Sequence, residues 1–458
     1  MISYQVTNPA TGEVEARYDT ASDAAISEAL ESAHQAWRSW RTVAADERAA
    51  LLTRVADLHH QRRNELADII VREMGKPKAQ ALGELSIVVD IYRYYADNGP
   101  GWLAPESITT AGATAQVRKQ GLGVLLGIMP WNFPYYQVAR FAAPNLLNGN
   151  TILLKHAPQC PESALAIEQI FRDAGADEGL YTNIFASNEQ VSSLIEDPRV
   201  LGVSLTGSER AGAAVAEQAG RHLKKVVLEL GGSDPYLVLA DADLEQAVTH
   251  AILGRFGNCG QACNAAKRII VEDSVYDAFL AAFEQGIGTI KVGDPMADDT
   301  VMGPMSSEQA LVNLDAQVQD AISQGARLVT GGKRLERAGA WYAPTLLVDV
   351  TPDMRVFHEE LFGPVAVVYR AADLEQAIAL ANDSQYGLGA VIQTTDPVRA
   401  QALADRLDVG MVHINEPPGS EAELPFGGVK RSGFGRELGK AGMDEFVNRQ
   451  MVKVAQKR

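Results

Sequence analysis

Cys263 offers this chain a nucleophile. It closes Phe256-Gly257-Asn258-Cys259-Gly260-Gln261-Ala262-Cys263, a glycine-containing stretch that can turn tightly and project a thiol toward a ligand. A thiolate is a strong nucleophile toward carbonyl carbon. A lone cysteine can equally be a buried, inert small hydrophobe, so chemistry is assigned to it only with partners. Glu229, in Leu228-Glu229-Leu230-Gly231-Gly232, is the first: paired glycines give a general base room to move. Asn132 is the second. In Pro130-Trp131-Asn132-Phe133-Pro134 two prolines bracket two aromatics and an amide, a rigid turn that either holds Asn132 as a fixed donor or packs rings into a core.

These residues need a scaffold. Residues 21 to 98 carry apolar positions at helical spacing, and 102 to 119 lose that period and suggest an extended ribbon. From 120 onward short apolar runs alternate with helical patterns: Val124 to Ile128, Thr151 to Leu154, Val200 to Leu205 and Val226 to Leu228 are strand candidates. A second series starts at Tyr236 and runs through Arg268, Ala326 and Val365 to Ile414. This is the pattern of mainly parallel sheets covered by helices, in two α/β units divided near 232. Phe446 to Val454 is strand-like and free to join another edge.

A cofactor has two places to go. Gly121-Leu122-Gly123 runs into a strand and reads as a turn. Gly207-Ser208 follows an apolar strand and opens a helix, so its N–H groups either face a ligand phosphate or belong to a plain capped turn. Lys155 lies at the end of a strand, where open α/β sheets bind ligands.

Taken in order, Pro130 to Pro134, Gly207 to Gly212, Glu229 to Gly232, Gly260 to Cys263, Glu359-Glu360-Leu361-Phe362-Gly363-Pro364 and Pro425 to Gly428 resemble the aldehyde dehydrogenase superfamily over about residues 5 to 455. Lys155-His156-Ala157-Pro158 and Lys430 to Gly435 look most like its bacterial succinate-semialdehyde dehydrogenases. The resemblance implies a Rossmann-like cofactor domain (1–101 and 120–231), an α/β catalytic domain (232–439), and oligomerisation segments (102–119 and 440–458) of a homodimer or homotetramer. It makes Cys263 the nucleophile, Glu229 the base and Asn132 half of an oxyanion hole. Trp131, Lys155, His156, Pro158, Gly207, Ser208, Glu360 and Phe362 become cofactor contacts. The implied chemistry is attack on an aldehyde, loss of hydride to NADP or NAD, and hydrolysis of the resulting thioester.

Two departures bear on specificity. Pro158 stands where NAD-preferring members commonly carry a glutamate, which leaves NADP acceptable, with His156 and Arg210 as candidate phosphate partners. Arg140 matches a carboxylate-binding arginine, with Ser420 as a second contact, although a surface ion pair is the alternative for Arg140. A further arginine of some relatives is Gly257 here. The substrate implied is succinate semialdehyde; glutarate semialdehyde or simpler aldehydes are alternatives, and a cofactor-free thiol hydrolase or a non-catalytic binding protein is a more distant one. Cys259 is either a redox partner of Cys263 or a buried spectator.

Composition bounds the rest. A formal net charge of −17 argues against sequence-independent nucleic-acid binding. Three cysteines make no disulfide framework, and neither a signal peptide nor an apolar membrane span is legible, so a cytoplasmic protein is expected. The 8 histidines are scattered, so no metal site is expected.

Overall fold

The computed structural model describes residues 4–110 and 113–455. Its first sheet has six strands in the order Gly433–Phe434, Lys225–Glu229, Val200–Thr206, Val124–Met129, Thr151–His156, Tyr181–Asn183. All neighbours are parallel except Gly433–Phe434, which pairs antiparallel with Lys225–Glu229. Thr151–His156 is buried throughout, as expected of a strand covered on both faces. Because the inner strands are parallel, their carboxyl ends share one edge. Chain order reverses there around Val124–Met129, with Thr151–His156 on one side and Val200–Thr206 on the other, the position where such sheets bind ligands.

A second, seven-stranded sheet runs Arg327–Thr330, Thr345–Val348, Val365–Ala371, Arg268–Glu272, Pro235–Val238, Gly389–Gln393, Met411–Ile414, antiparallel only at its first pair. The third is antiparallel: Val447–Ala455 pairs with Ala113–Gly121, whose other edge takes Glu106–Thr110. The terminal strand thus joins the ribbon that the sequence placed at 102–119; residues 111 and 112 of that stretch lie outside the described residues. The chain also crosses back late, since Gly433–Phe434 extends the first sheet although it falls within the 232–439 segment.

Before the sheets come the helices Asp23–Trp40, Ala45–Gln61, Arg63–Met74 and Lys78–Trp102. Ser22 starts the first by accepting the Ala25 N–H, and Gly75, in the left-handed region, ends the third. The last two matter for the site. Glu84, inside Lys78–Trp102, accepts the N–H groups of Tyr135 (2.9 Å) and Tyr136 (3.2 Å) at the start of the helix Tyr136–Leu147. A carboxylate there satisfies orphan donors and complements the helix dipole. Its partner is the buried Lys76 ammonium, which also sits 3.7 Å from the Phe133 ring centre. Among the described residues no helix is long and apolar enough to cross a membrane.

Candidate active site

The turn that carries Cys263 departs from ordinary backbone geometry. Asn258 and Cys259 have φ of 53° and 55°, and Gly260 follows at 69°, so three successive residues are left-handed. Such a run costs non-glycine residues on the order of 1–2 kcal/mol each, and its surroundings hold it in place. The Asn258 N–H donates to Gln80 Oε1 (2.8 Å), and its side-chain amide donates to the Asn132 carbonyl (3.0 Å). Gly260 is required by proximity, since a Cβ would lie 2.3 Å from the Gly363 carbonyl oxygen. Arg255 closes the turn from behind: its buried guanidinium donates to the carbonyls of Gly260 (3.2 Å), Leu361 (2.9 Å) and Val365 (2.7 Å). This clamps the Glu360–Phe362 loop to the turn.

Cys263 emerges half-buried into a cavity of about 480 Å³, whose walls include Phe133, Tyr136, Asn258, Ser420 and Phe426. Asn132 is buried beside it. One of its two amide hydrogens goes to the Gln261 carbonyl (3.1 Å), which leaves the other for an oxyanion. Burial pushes the Cys263 thiol up to about 12, against the opposing pull of Arg140 and Lys267. Cys259 is buried too, so the two thiols do not share an exposed cleft, and the redox-partner reading finds no support. Glu229 ends its strand with both carboxylate oxygens unpaired, and burial, opposed by Arg140, holds its pKa well above the usual range. A carboxyl raised in this way holds a proton more tightly than an ordinary glutamate, as a general base requires.

The residues expected to contact a cofactor lie at the shared strand edge. Lys155 is buried, and burial alone lowers its ammonium to about 8. No carboxylate offsets that burial, which suits an incoming hydroxyl or phosphate. A Cβ on Gly207 would meet nothing closer than 3.6 Å, so this glycine leaves space over the helix start. Ser208 accepts the Ala211 N–H (3.4 Å) and so caps the helix Glu209–Arg221. Pro158 borders the same region and accepts the Gln5 N–H through its carbonyl (3.0 Å). Glu360 accepts the Gly232 N–H (3.1 Å), and Phe362 packs edge-on to Trp131 with ring centres 5.6 Å apart.

Two expectations change. His156 is fully buried: Nε2 donates to the Pro134 carbonyl (2.9 Å) while Nδ1 accepts the Ala157 N–H (2.8 Å). Burial lowers its pKa to about 4. A neutral ring with both nitrogens spent has nothing to offer a phosphate; it braces the Pro134 turn instead. Arg140 is neither a surface ion pair nor a free carboxylate receptor. It is completely buried and paired with Glu437, with Nη2 donating to Thr206 Oγ1 (3.3 Å) and Nη1 to the Tyr136 hydroxyl (3.4 Å). Burial opposes its charge, and Glu437, Tyr136 and Glu229 together more than offset that. What faces the cavity is Tyr136, whose hydroxyl lies 2.6 Å from Ser420 Oγ. At Gly257 a Cβ would meet no atom within 4 Å.

The whole-chain comparisons decide the family. The aldehyde dehydrogenase family profile matches residues 2–452. The chain belongs to the aldehyde dehydrogenase family. A succinate-semialdehyde dehydrogenase [NADP(+)] of Deinococcus radiodurans is 54% identical over 98% of this chain and 94% of its own length. A succinate semialdehyde dehydrogenase [NAD(P)+] of Escherichia coli is 46% identical over 97% and 96%. The crystal structure of a succinic semialdehyde dehydrogenase from Streptococcus pyogenes in complex with NADP+ superposes with a TM-score of 0.97 at 42% identity, covering 99% of this chain and 100% of that one. Lys267, Glu437 and the Lys76–Glu84 pair went unmarked in the sequence, where a charged residue in a helical or strand-flanking run reads as solvated.

Proposed function

We propose that this protein oxidises succinate semialdehyde to succinate with NADP. The observation that carries the reading is the polar corner of the Cys263 cavity: the Tyr136 and Ser420 hydroxyls, 2.6 Å apart, backed by the Arg140 guanidinium. In an otherwise largely apolar cavity, this corner supplies donors for a carboxylate at the far end of a short aldehyde. The names of the relatives agree with it.

The residues present fit the cofactor: a buried lysine facing no carboxylate, a glycine turn with open space above it, and Pro158 in place of an acidic side chain. Lys155 and the exposed Arg210 would hold the phosphate-bearing ribose, and Glu360 the other ribose. When bound, NADP accepts the hydride that leaves the aldehyde carbon. Within the chain, Cys263 releases its thiol proton to solvent, and the Sγ thiolate attacks that carbon. The second amide hydrogen of Asn132 and the Cys263 N–H steady the developing oxyanion, a contribution on the order of 2.7–4 kcal/mol per donor. Glu229 then takes a proton from the water that hydrolyses the thioester. We further propose a homo-oligomer built on the three-stranded sheet, where Ile108, Met451 and Val454 are exposed; a monomer by light scattering would refute that.

A panel of charged and uncharged aldehydes with NADP and NAD tests the main reading. Succinate semialdehyde with NADP should give the highest kcat/KM. Equal kcat/KM for uncharged aldehydes of the same length would sink the substrate assignment.

A further inference from the structure

Lys267 reaches back from the residue before the strand Arg268–Glu272 into the nucleophile turn. Its ammonium is 1% exposed and has three acceptors: the Ala262 carbonyl (2.8 Å), the Cys263 carbonyl (2.7 Å) and Glu360 Oε1 (3.0 Å). An ammonium has three hydrogens, so its donor capacity is matched. Two of these acceptors belong to the peptide units on either side of Cys263, and the third to the residue placed against the cofactor.

The consequence follows from peptide planarity. Within a trans peptide the carbonyl and the next N–H point in opposite directions in one rigid plane. Anchoring the Ala262 oxygen therefore fixes where the Cys263 N–H points, away from Lys267. No acceptor takes that N–H among the described residues. Asn132, tethered to the Gln261 carbonyl one residue earlier, supplies the other donor. We infer that Lys267 is a positioning residue: its ammonium locks the Ala262–Cys263 peptide so that the Cys263 N–H is preset as an oxyanion donor, and it ties that setting to Glu360 on the cofactor side. This rests on the reading of Cys263 as the nucleophile of an aldehyde oxidation. Lys267 also acts on the thiol by charge, together with Arg140, and against Glu229 and Glu360; the neutral Tyr136 hydroxyl completes the surroundings.

The test compares wild type, Lys267→Met and Lys267→Arg. In cofactor-free enzyme, the pH dependence of iodoacetamide alkylation at Cys263, located by peptide mass mapping, reads the thiolate. With NADP and succinate semialdehyde, steady-state kinetics separates kcat from KM. Lys267→Met should move the alkylation midpoint upward and leave KM for the aldehyde within about threefold. Its kcat should fall about 10- to 100-fold, short of the 10²–10³ expected when an oxyanion donor is deleted outright. Lys267→Arg keeps the cation but places a planar fork where a compact ammonium serves three acceptors. Its alkylation midpoint should stay near wild type while kcat remains depressed. Wild-type kcat and midpoint in Lys267→Met overturn the proposal. So does a loss of kcat, KM and thermal stability in equal measure in both variants, which marks a lysine needed only for folding. Should Lys267→Met fail to fold, Lys267→Arg decides, and an unchanged kcat there overturns the proposal. A wild type that oxidises no aldehyde refutes the functional reading separately, because the alkylation arm uses neither substrate nor cofactor.

Discussion

Gly427 passes so close to Glu229 that a Cβ on it would lie 2.7 Å from Oε1. Its φ of +147° also disfavours a side chain, so Glu229 occupies space that only glycine leaves it. Gly427→Ala should press Glu229 out of position and lower kcat, with a smaller effect on KM. Glu229→Gln keeps the shape and removes the base, so kcat should fall about 10²–10⁴-fold. Hydride loss precedes hydrolysis, so rapid-mixing absorbance should still show a first-turnover burst of NADPH in Glu229→Gln. Absence of that burst would place Glu229 before the thioester rather than after it.

Tyr136 separates the two roles once open to Arg140. Removing the guanidinium would strand Glu437 as a buried unpaired charge, a loss of about 3–5 kcal/mol that confounds any kinetic reading. Tyr136→Phe keeps the ring under Arg140 and removes the hydroxyl that meets Ser420 and Arg140. KM for succinate semialdehyde should rise about tenfold, the equivalent of one hydrogen bond to a charged group. KM for an uncharged aldehyde of equal length should not move. A parallel rise for both would show that Tyr136 shapes the cavity without reading the carboxylate.

The strands around the site were legible because parallel, fully buried strands are short apolar runs between helices; Val124–Met129, Thr151–His156 and Val200–Thr206 all carry that signature. Tyr181–Asn183 is too short and polar to show it, and Gly389–Gln393 opens on a glycine directly after the Tyr386–Gly387 pairing. Cys263, Glu229 and Asn132 could be singled out from sequence because the turns that carry them are set by local residues. The burial and pairing of Arg140 and His156 were not legible because their partners, Glu437 and the Pro134 carbonyl, are 297 and 22 residues away in the chain. Lys267 escaped for a different reason. Two of its three partners are four and five residues back, but Ala265-Ala266-Lys267-Arg268 reads as a basic pair beside a strand until the turn folds over it.

Lys155 predicts a pH dependence of cofactor binding. Burial lowers its pKa to about 8, so its positive charge fades as pH rises through that value. Affinity for NADP, followed by fluorescence titration, should weaken above about pH 8. The bound phosphate favours the charged form and shifts the break upward in the complex. Lys155→Gln should weaken NADP binding at neutral pH by at least about tenfold, near 1.4 kcal/mol, and flatten the alkaline decline. A decline that survives in Lys155→Gln would assign the titration to another group.

Asp234 predicts a pH dependence of stability with a definite sign. Burial raises its carboxyl to about 8, against the pull of Lys267 and the Gly389 N–H, from the ordinary 3.8. Between those values the folded chain binds a proton that the unfolded chain has released. Stability from this group is therefore complete below about pH 4 and is lost as pH rises through about 8. Asp234→Asn matches the shape and cannot ionise. Other titrating groups, Glu73 among them, are present in both proteins and cancel in the difference. The Tm of Asp234→Asn minus that of wild type should increase from pH 5 to about pH 8 and level off above it, reaching a few degrees. A difference that stays flat or narrows with pH would mean that Asp234 is ionised throughout, held by Lys267, and that Lys267 serves a fourth oxygen besides its three acceptors.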